Sequence, residues 1–272
     1  MDNNFFHKEW NVIVTIGSNC DLASICKDKG MRYFSSPFDN IETSKALVEC
    51  SALIARKFSG YMASSKNWPL KSMGTKTENR STRCNIKEDG LDFSEIYFPH
   101  LYRNWFPGFK KWHWNHFNKV ADKKTAWDYQ PAWERFKTKM HHRQQKLVSL
   151  LESKNKILFL RIDSSPLKFI FPHNQLCHCN KFVSNIETAY PNADFGFYYL
   201  YKDTYYGKSR QPEPFVSASE KMYLEEHGGC SSDTKCEFKN KIGKKLEKIK
   251  LLPREEMLEF STEYEKDIFY EK

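Results

Sequence analysis

Apolar and polar positions along the chain switch between a strand-like and a helix-like period. The β-rich run NVIVTI at 11–16 predicts a buried strand. Gly17-Ser18-Asn19 interrupts it, and Leu22, Ala23, Ile25 and Cys26 then recur at helical spacing, which predicts a helix over 20–30 that Gly30 stops. A second helix is predicted from Glu42 to about Phe58, with Asp39, Asn40 and Thr43 as capping candidates. Residues 59–90 are polar and irregular and read as a surface excursion. Ile96-Tyr97-Phe98 predicts a strand ending at Pro99-His100. The strongest helical stripe runs over 131–153 through Trp133, Phe136, Met140, Leu147, Leu150 and Leu151. KILFLRI at 156–162 predicts a buried strand, 174–190 a helix closed by Pro191, and FGFYYLY at 195–201 a further strand. Residues 202–236 carry no clear pattern, and 237–272 read as a helical C-terminal appendage. Strands alternating with helices predict a single α/β domain over 1–272, with helices packed on a central mixed or parallel sheet.

Composition narrows the class. Apolar residues make up 40% of the 272 and aromatic residues 15%, enough to bury a core and too much for a disordered chain. No run approaches the ~18–20 apolar residues of a membrane span. The opening MDNNFFHKEW has no apolar signal core. These features predict a cytoplasmic protein, with secretion left open. The net charge of +9 is concentrated in KNKIGKKLEKIK at 239–250, which reads as the solvated face of a helix whose other face carries Ile242, Leu246 and Ile249. No nucleic-acid partner is expected from it. Eight cysteines in a chain of this size are expected as reduced thiols, because Cys26 and Cys50 fall inside apolar periodic segments.

The candidate chemistry lies in Gly17-Ser18-Asn19-Cys20. A cysteine just after a strand and at a helix N-terminus meets free backbone N–H groups and the positive end of the helix dipole. That setting favours the thiolate, the nucleophilic form. The same N–H groups, with Ser18 or Asn19, suit an acyl oxyanion. The competing reading is a small residue filling a turn that Asn19 caps. A thiolate needs a proton acceptor that can later act as an acid, and histidine is the usual one. Of nine histidines, His100 follows a predicted strand, where a sheet edge presents catalytic groups. Trp105, Trp112, Trp114, Trp127 and Trp133 crowd 102–133 and suit either a substrate groove or a cap over the core.

The run VTIGSNCDLASICKDKGMRYFSSPFDN at 14–40 resembles the opening of a family described as putative papain-like cysteine peptidases. The carrying motifs are Gly17, Ser18 and Cys20, then Pro37-Phe38-Asp39, Phe58-Ser59-Gly60-Tyr61 and Phe98-Pro99-His100. His141-His142-Arg143 and Leu158-Phe159-Leu160-Arg161 follow in order. The chain departs from the pattern at Asn40, where Trp is frequent, and at Leu101, where Asp is frequent. The resemblance implies thiol-dependent hydrolysis or transfer at a peptide, isopeptide or other amide, with Cys20 as nucleophile and His100 as base. The third group should accept a hydrogen bond from the imidazole. Asp163, at the end of the next strand, fits the expected order. Asp39 is the alternative, and it could equally cap a helix.

Other chemistries fit less well. Cys177-His178-Cys179 is dense in metal ligands, yet on a helix successive side chains diverge by about 100° and cannot share one ion. Neither GxGxxG nor GxxxxGK[ST] occurs. No cofactor or metal is expected. A glycan-binding or glycan-processing protein with a Trp-rich groove, its stacking rings interleaved with Arg103, Lys110 and Lys111, is the alternative, and a glycoconjugate is then the substrate.

Overall fold

A computed structural model describes residues 4–16, 21–33, 35–39, 47–59, 72–73, 81–83, 87–88, 91–92, 97–98, 130–162, 172–201, 220–226 and 235–257. A short 3-10 helix (Asn4–Phe6) precedes two strands, β1 (Glu9–Trp10) and β2 (Val12–Thr15), which are followed by α1 (Asp21–Asp28) and α2 (Leu47–Ala55). Five short strands come next: β3 (Ser72–Met73), β4 (Ser81–Arg83), β5 (Lys87–Glu88), β6 (Leu91–Asp92) and β7 (Tyr97–Phe98). Then come α3 (Gln130–Glu152), β8 (Lys156–Ile162), α4 (Pro172–Ala189), β9 (Asp194–Tyr201), β10 (Met222–Glu226), α5 (Lys235–Leu246) and β11 (Lys250–Leu251).

The central sheet has the order β10-β9-β8-β2 and is parallel throughout. Thr15 stands opposite Leu160, and Ile162 opposite Leu200. Parallel strands need a long crossover, and helices make it while covering the faces. This is why β8 and β9 read as continuous apolar runs: every residue from Ile157 to Ile162 and from Phe195 to Leu200 is buried. Alternate residues feed two cores. On one face Val12, Val14, Ile157, Phe159, Phe195 and Phe197 pack with α2, α3 and α4. On the other, Ile13, Leu158, Leu160, Ile162, Tyr198 and Leu200 pack with α1 and α5. The result is a three-layer α/β arrangement. Side chains tie the outer helices to each other as well. Asn185 Nδ2 donates to Ser51 Oγ at 2.8 Å and the Tyr190 hydroxyl to Ile54 O at 2.9 Å, joining α4 and its C-terminal end to α2.

The sequence expectations meet this structure unevenly. The strands at 156–162 and 195–201 and the helices over 20–30, 131–153 and 174–190 are all found, within a few residues. Gly30 takes φ +68° just after α1, the left-handed turn that ends it. The excursion over 59–90 contains β3, β4 and β5, and β3-β4-β7 form a small antiparallel sheet. β10 was not anticipated within the patternless 202–236.

Of the C-terminal stretch, α5 and β11 are described. α5 forms an outer layer, because Ile242 and Leu246 are fully buried against the sheet and Ile249 nearly so. β11 pairs in parallel with β1. The basic run does occupy the solvent side, where Lys239, Lys245 and Lys248 reach Asp28 and Glu225.

Candidate active site

In a doubly wound sheet the ligand crevice opens at the carboxyl ends of the strands, where consecutive connections leave toward opposite faces. β2 and β8 meet that condition. They are adjacent and parallel, so their carboxyl ends, Thr15 and Ile162, lie on one edge of the sheet. The chain leaving β2 enters α1 on one face. The chain leaving β8 enters α4 on the other.

Cys20 is the residue immediately before α1, and Asp163 the residue immediately after β8. His100 follows β7 by two positions. Cys20, Ser18, Asn19, His100, Asp163, Trp105 and Trp112 themselves lie outside the described residues, as do the side chains of Trp133 and Phe136.

Asp39 is described, and its surroundings are specific. The carboxylate is buried, with its side chain 1% exposed. Oδ1 accepts from the Thr15 hydroxyl at the end of β2. Oδ2 accepts from the Ser36 backbone N–H at 2.8 Å and from Arg32 Nε at 3.0 Å, and Arg32 Nη2 completes the ion pair. Arg32 Nη2 also donates to Ser35 Oγ at 2.9 Å. Ser36 Oγ donates to the Thr15 carbonyl at 3.0 Å and accepts from the Phe38 N–H at 3.1 Å. Ser35, Ser36, Phe38 and Asp39 are all buried. Among the described residues, the Asp39 carboxylate thus closes a knot on the last residue of β2, and the helix start it was expected to cap lies outside the described residues. Asp-Pro-rich turns are common, and the sequence held no mark of this knot beyond a charged Arg32 seven residues before Asp39.

Two further polar groups sit near the same edge. Arg161 is buried on the penultimate position of β8. His178 on α4 is held below the ordinary histidine value, first by partial burial and then by the positive charge of Arg161. A charged residue after the apolar run ILFL of β8 was the available signal for Arg161.

Cys26 shows what burial alone does to a thiol on α1. Its pKa is pushed up to about 12, mainly by burial and further by Asp39, with Arg32 opposing. Cys26 is an inert core thiol. Cys26, Cys50, Cys177, Cys179 and Cys236 are free thiols. Cys179 is buried while Cys177 is exposed, so the two ends of the Cys-His-Cys triplet diverge on α4.

The architecture is that of an α/β protein with a parallel central sheet. The model of a family described as "putative papain-like cysteine peptidase" matches residues 11–196, and the chain belongs to that family. The match runs from the residue before β2 into β9 and takes in Cys20, Asp39, His100 and Asp163. No curated protein and no solved structure matches the chain. Among the described residues, no helix is long and apolar enough to cross a membrane.

Proposed function

We propose that this protein is a cysteine-dependent acyl hydrolase that cleaves a peptide or another amide through Cys20. The observation that carries the reading is the divergence of the chain after two neighbouring parallel strands, β2 toward α1 and β8 toward α4. Cys20 and Asp163 flank that crevice in sequence. Family membership supports the same chemistry.

In the proposed reaction His100 takes the thiol proton and the Cys20 sulfur attacks the amide carbonyl carbon. The N–H groups at the start of α1, with Ser18 and Asn19, stabilise the oxyanion. The imidazolium returns its proton to the departing amine, leaving a thioester on Cys20. Water, deprotonated by His100, then hydrolyses the thioester and releases the free thiol. Asp163 accepts the second imidazole N–H and holds the tautomer. Asp39 is the less suitable partner for His100, because donors from Thr15, Arg32 and Ser36 already occupy its carboxylate. Trp105 and Trp112 belong to the substrate-facing wall in this reading.

Iodoacetamide labelling with mass mapping tests the proposal. Cys20 is expected to alkylate at least about tenfold faster than the exposed Cys177 and Cys236 at mildly acidic pH, where an ordinary thiol near 8.5 is protonated. His100→Ala should abolish that advantage. Equal rates at all three thiols rule the reading out.

A further inference from the structure

We infer that Arg32 and Asp39 form a positioning pair that fixes where the chain leaves β2, and so where Cys20 is presented. The inference rests on Cys20 being the nucleophile. Neither residue is offered as a catalytic group.

The argument begins with the cost of the pair. Arg32 and Asp39 are withdrawn from water, with side chains 8% and 1% exposed. Desolvating two charges consumes most of what their attraction returns, so such a pair contributes little net stability. What it does supply is direction. A guanidinium fork has a fixed plane, and here it spans Asp39 Oδ2 and Ser35 Oγ together. The carboxylate it orients then holds the Thr15 hydroxyl and the Ser36 N–H.

Thr15 is gripped twice. Its hydroxyl goes to Asp39 and its carbonyl receives Ser36 Oγ. It is the last residue of β2 and stands five positions before Cys20. The next residue, Ile16, is anchored on the inner side by its N–H to Leu160 O at 2.8 Å. The end of β2 is thus clamped between β8 and the segment 35–39 before the chain turns toward α1. On the far side of that turn, α1 is packed by Leu22, Ile25 and Cys26 into the core beneath it. Both ends of the short connection containing Cys20 are held by groups that do no chemistry. A reacting atom displaced by about 1 Å loses about 100-fold in rate, which is the scale of benefit such a clamp can deliver.

The test compares variants that keep the fold and change the clamp. Thr15→Val is nearly isosteric and removes only the donated hydroxyl; Thr15→Ser restores it. Arg32→Lys keeps the charge and loses the fork. Two readouts are taken on each protein: alkylation of Cys20 relative to Cys236, and amide hydrogen exchange over residues 16–22. The inference expects Thr15→Val and Arg32→Lys to lower the Cys20-to-Cys236 ratio by about tenfold and to accelerate exchange over 16–22, with Thr15→Ser close to wild type in both. Folded Thr15→Val and Arg32→Lys proteins with an unchanged ratio overturn it. So does a loss that Thr15→Ser fails to rescue. If Thr15→Val does not fold, Ser36→Ala, which removes the tether to the Thr15 carbonyl, is judged by the same two readouts.

Failure of the hydrolase reading is separately visible. It appears as equal labelling of Cys20 and Cys236 in the wild-type protein. The exchange data then decide alone: faster exchange over 16–22, rescued by Thr15→Ser, upholds the clamp, and unchanged exchange overturns it.

Discussion

Two glycines illustrate how single residues constrain this fold for different reasons. Gly196 lies in β9, and a Cβ built there would press into the Trp10 indole and approach Phe5 within 3.1 Å. Trp10 is buried and cannot swing aside. Gly196→Ala is therefore expected to lose about 1–3 kcal/mol through overpacking, read as a lower urea midpoint. Gly30 has open space around its Cα, and its constraint is the left-handed backbone, φ +68°. Gly30→Ala should cost about 1 kcal/mol without disturbing any neighbour. The two effects can be told apart by near-UV circular dichroism, where only Gly196→Ala should perturb the Trp10 signal. Gly30 was legible in the sequence because a helix stop is a local event. Gly196 was not, because its neighbour Trp10 is distant along the chain. Asp39 belongs with Gly196: its place in a recognisable motif was visible, while the identity of its partners depended on how 35–39 folds back on β2.

At the scale of elements, α5 and β10 are joined by a compact ion cluster. Glu225 accepts from Lys245 at 2.5 Å, from Lys248 at 2.6 Å and from the Tyr198 hydroxyl at 2.5 Å. Burial alone would raise the Glu225 pKa. The two lysines and the tyrosine more than offset it, so the carboxyl stays below its usual 4.5. A folded value below the unfolded one means the cluster contributes stability above the unfolded value. That contribution is lost as pH falls through the folded value. Urea midpoints of wild type and Glu225→Gln should accordingly differ most near neutral pH and converge in acid below the usual 4.5. A constant gap across that range would assign the difference to packing. The strands and helices themselves were largely legible, since β8, β9 and α4 carry long periodic runs. β10 was hidden because five residues, MYLEE, are too few to establish a period.

At the scale of the whole molecule, the sheet is built outward and then closed. β2, β8, β9 and β10 lie in chain order across the sheet, and α5 returns along the opposite face to bring β11 beside β1. The sequence displayed the apolar stripe of α5, but a stripe does not say what it will meet, and so its membership in the core went unread. Leu246 is fully buried in that layer. Leu246→Asp is expected to destabilise by more than about 3 kcal/mol, since a carboxylate there has neither water nor a partner. The loss should appear as dye binding to an exposed apolar face and a collapsed near-UV spectrum. An intact spectrum would show that α5 contributes little to the core. The candidate site was legible as a strand, a turn and a cysteine. The sheet adds that β8 is the neighbour of β2, a long-range fact no local pattern encodes.

The pairing of position 9 with position 250 has a consequence for biosynthesis. Ribosomes deliver chain at roughly 5–20 residues per second, N-terminus first. Trp10 and Phe5 therefore emerge well before α5, which packs into the same core. Phe5 gains Tyr198 and Tyr223 as ring partners first, and the buried residues of α5 complete that core afterwards. The nascent protein must hold an unfinished, sticky surface until α5 is made, and termination before Lys235 would leave Leu22, Ile25 and Leu160 without the cover of Ile242 and Leu246.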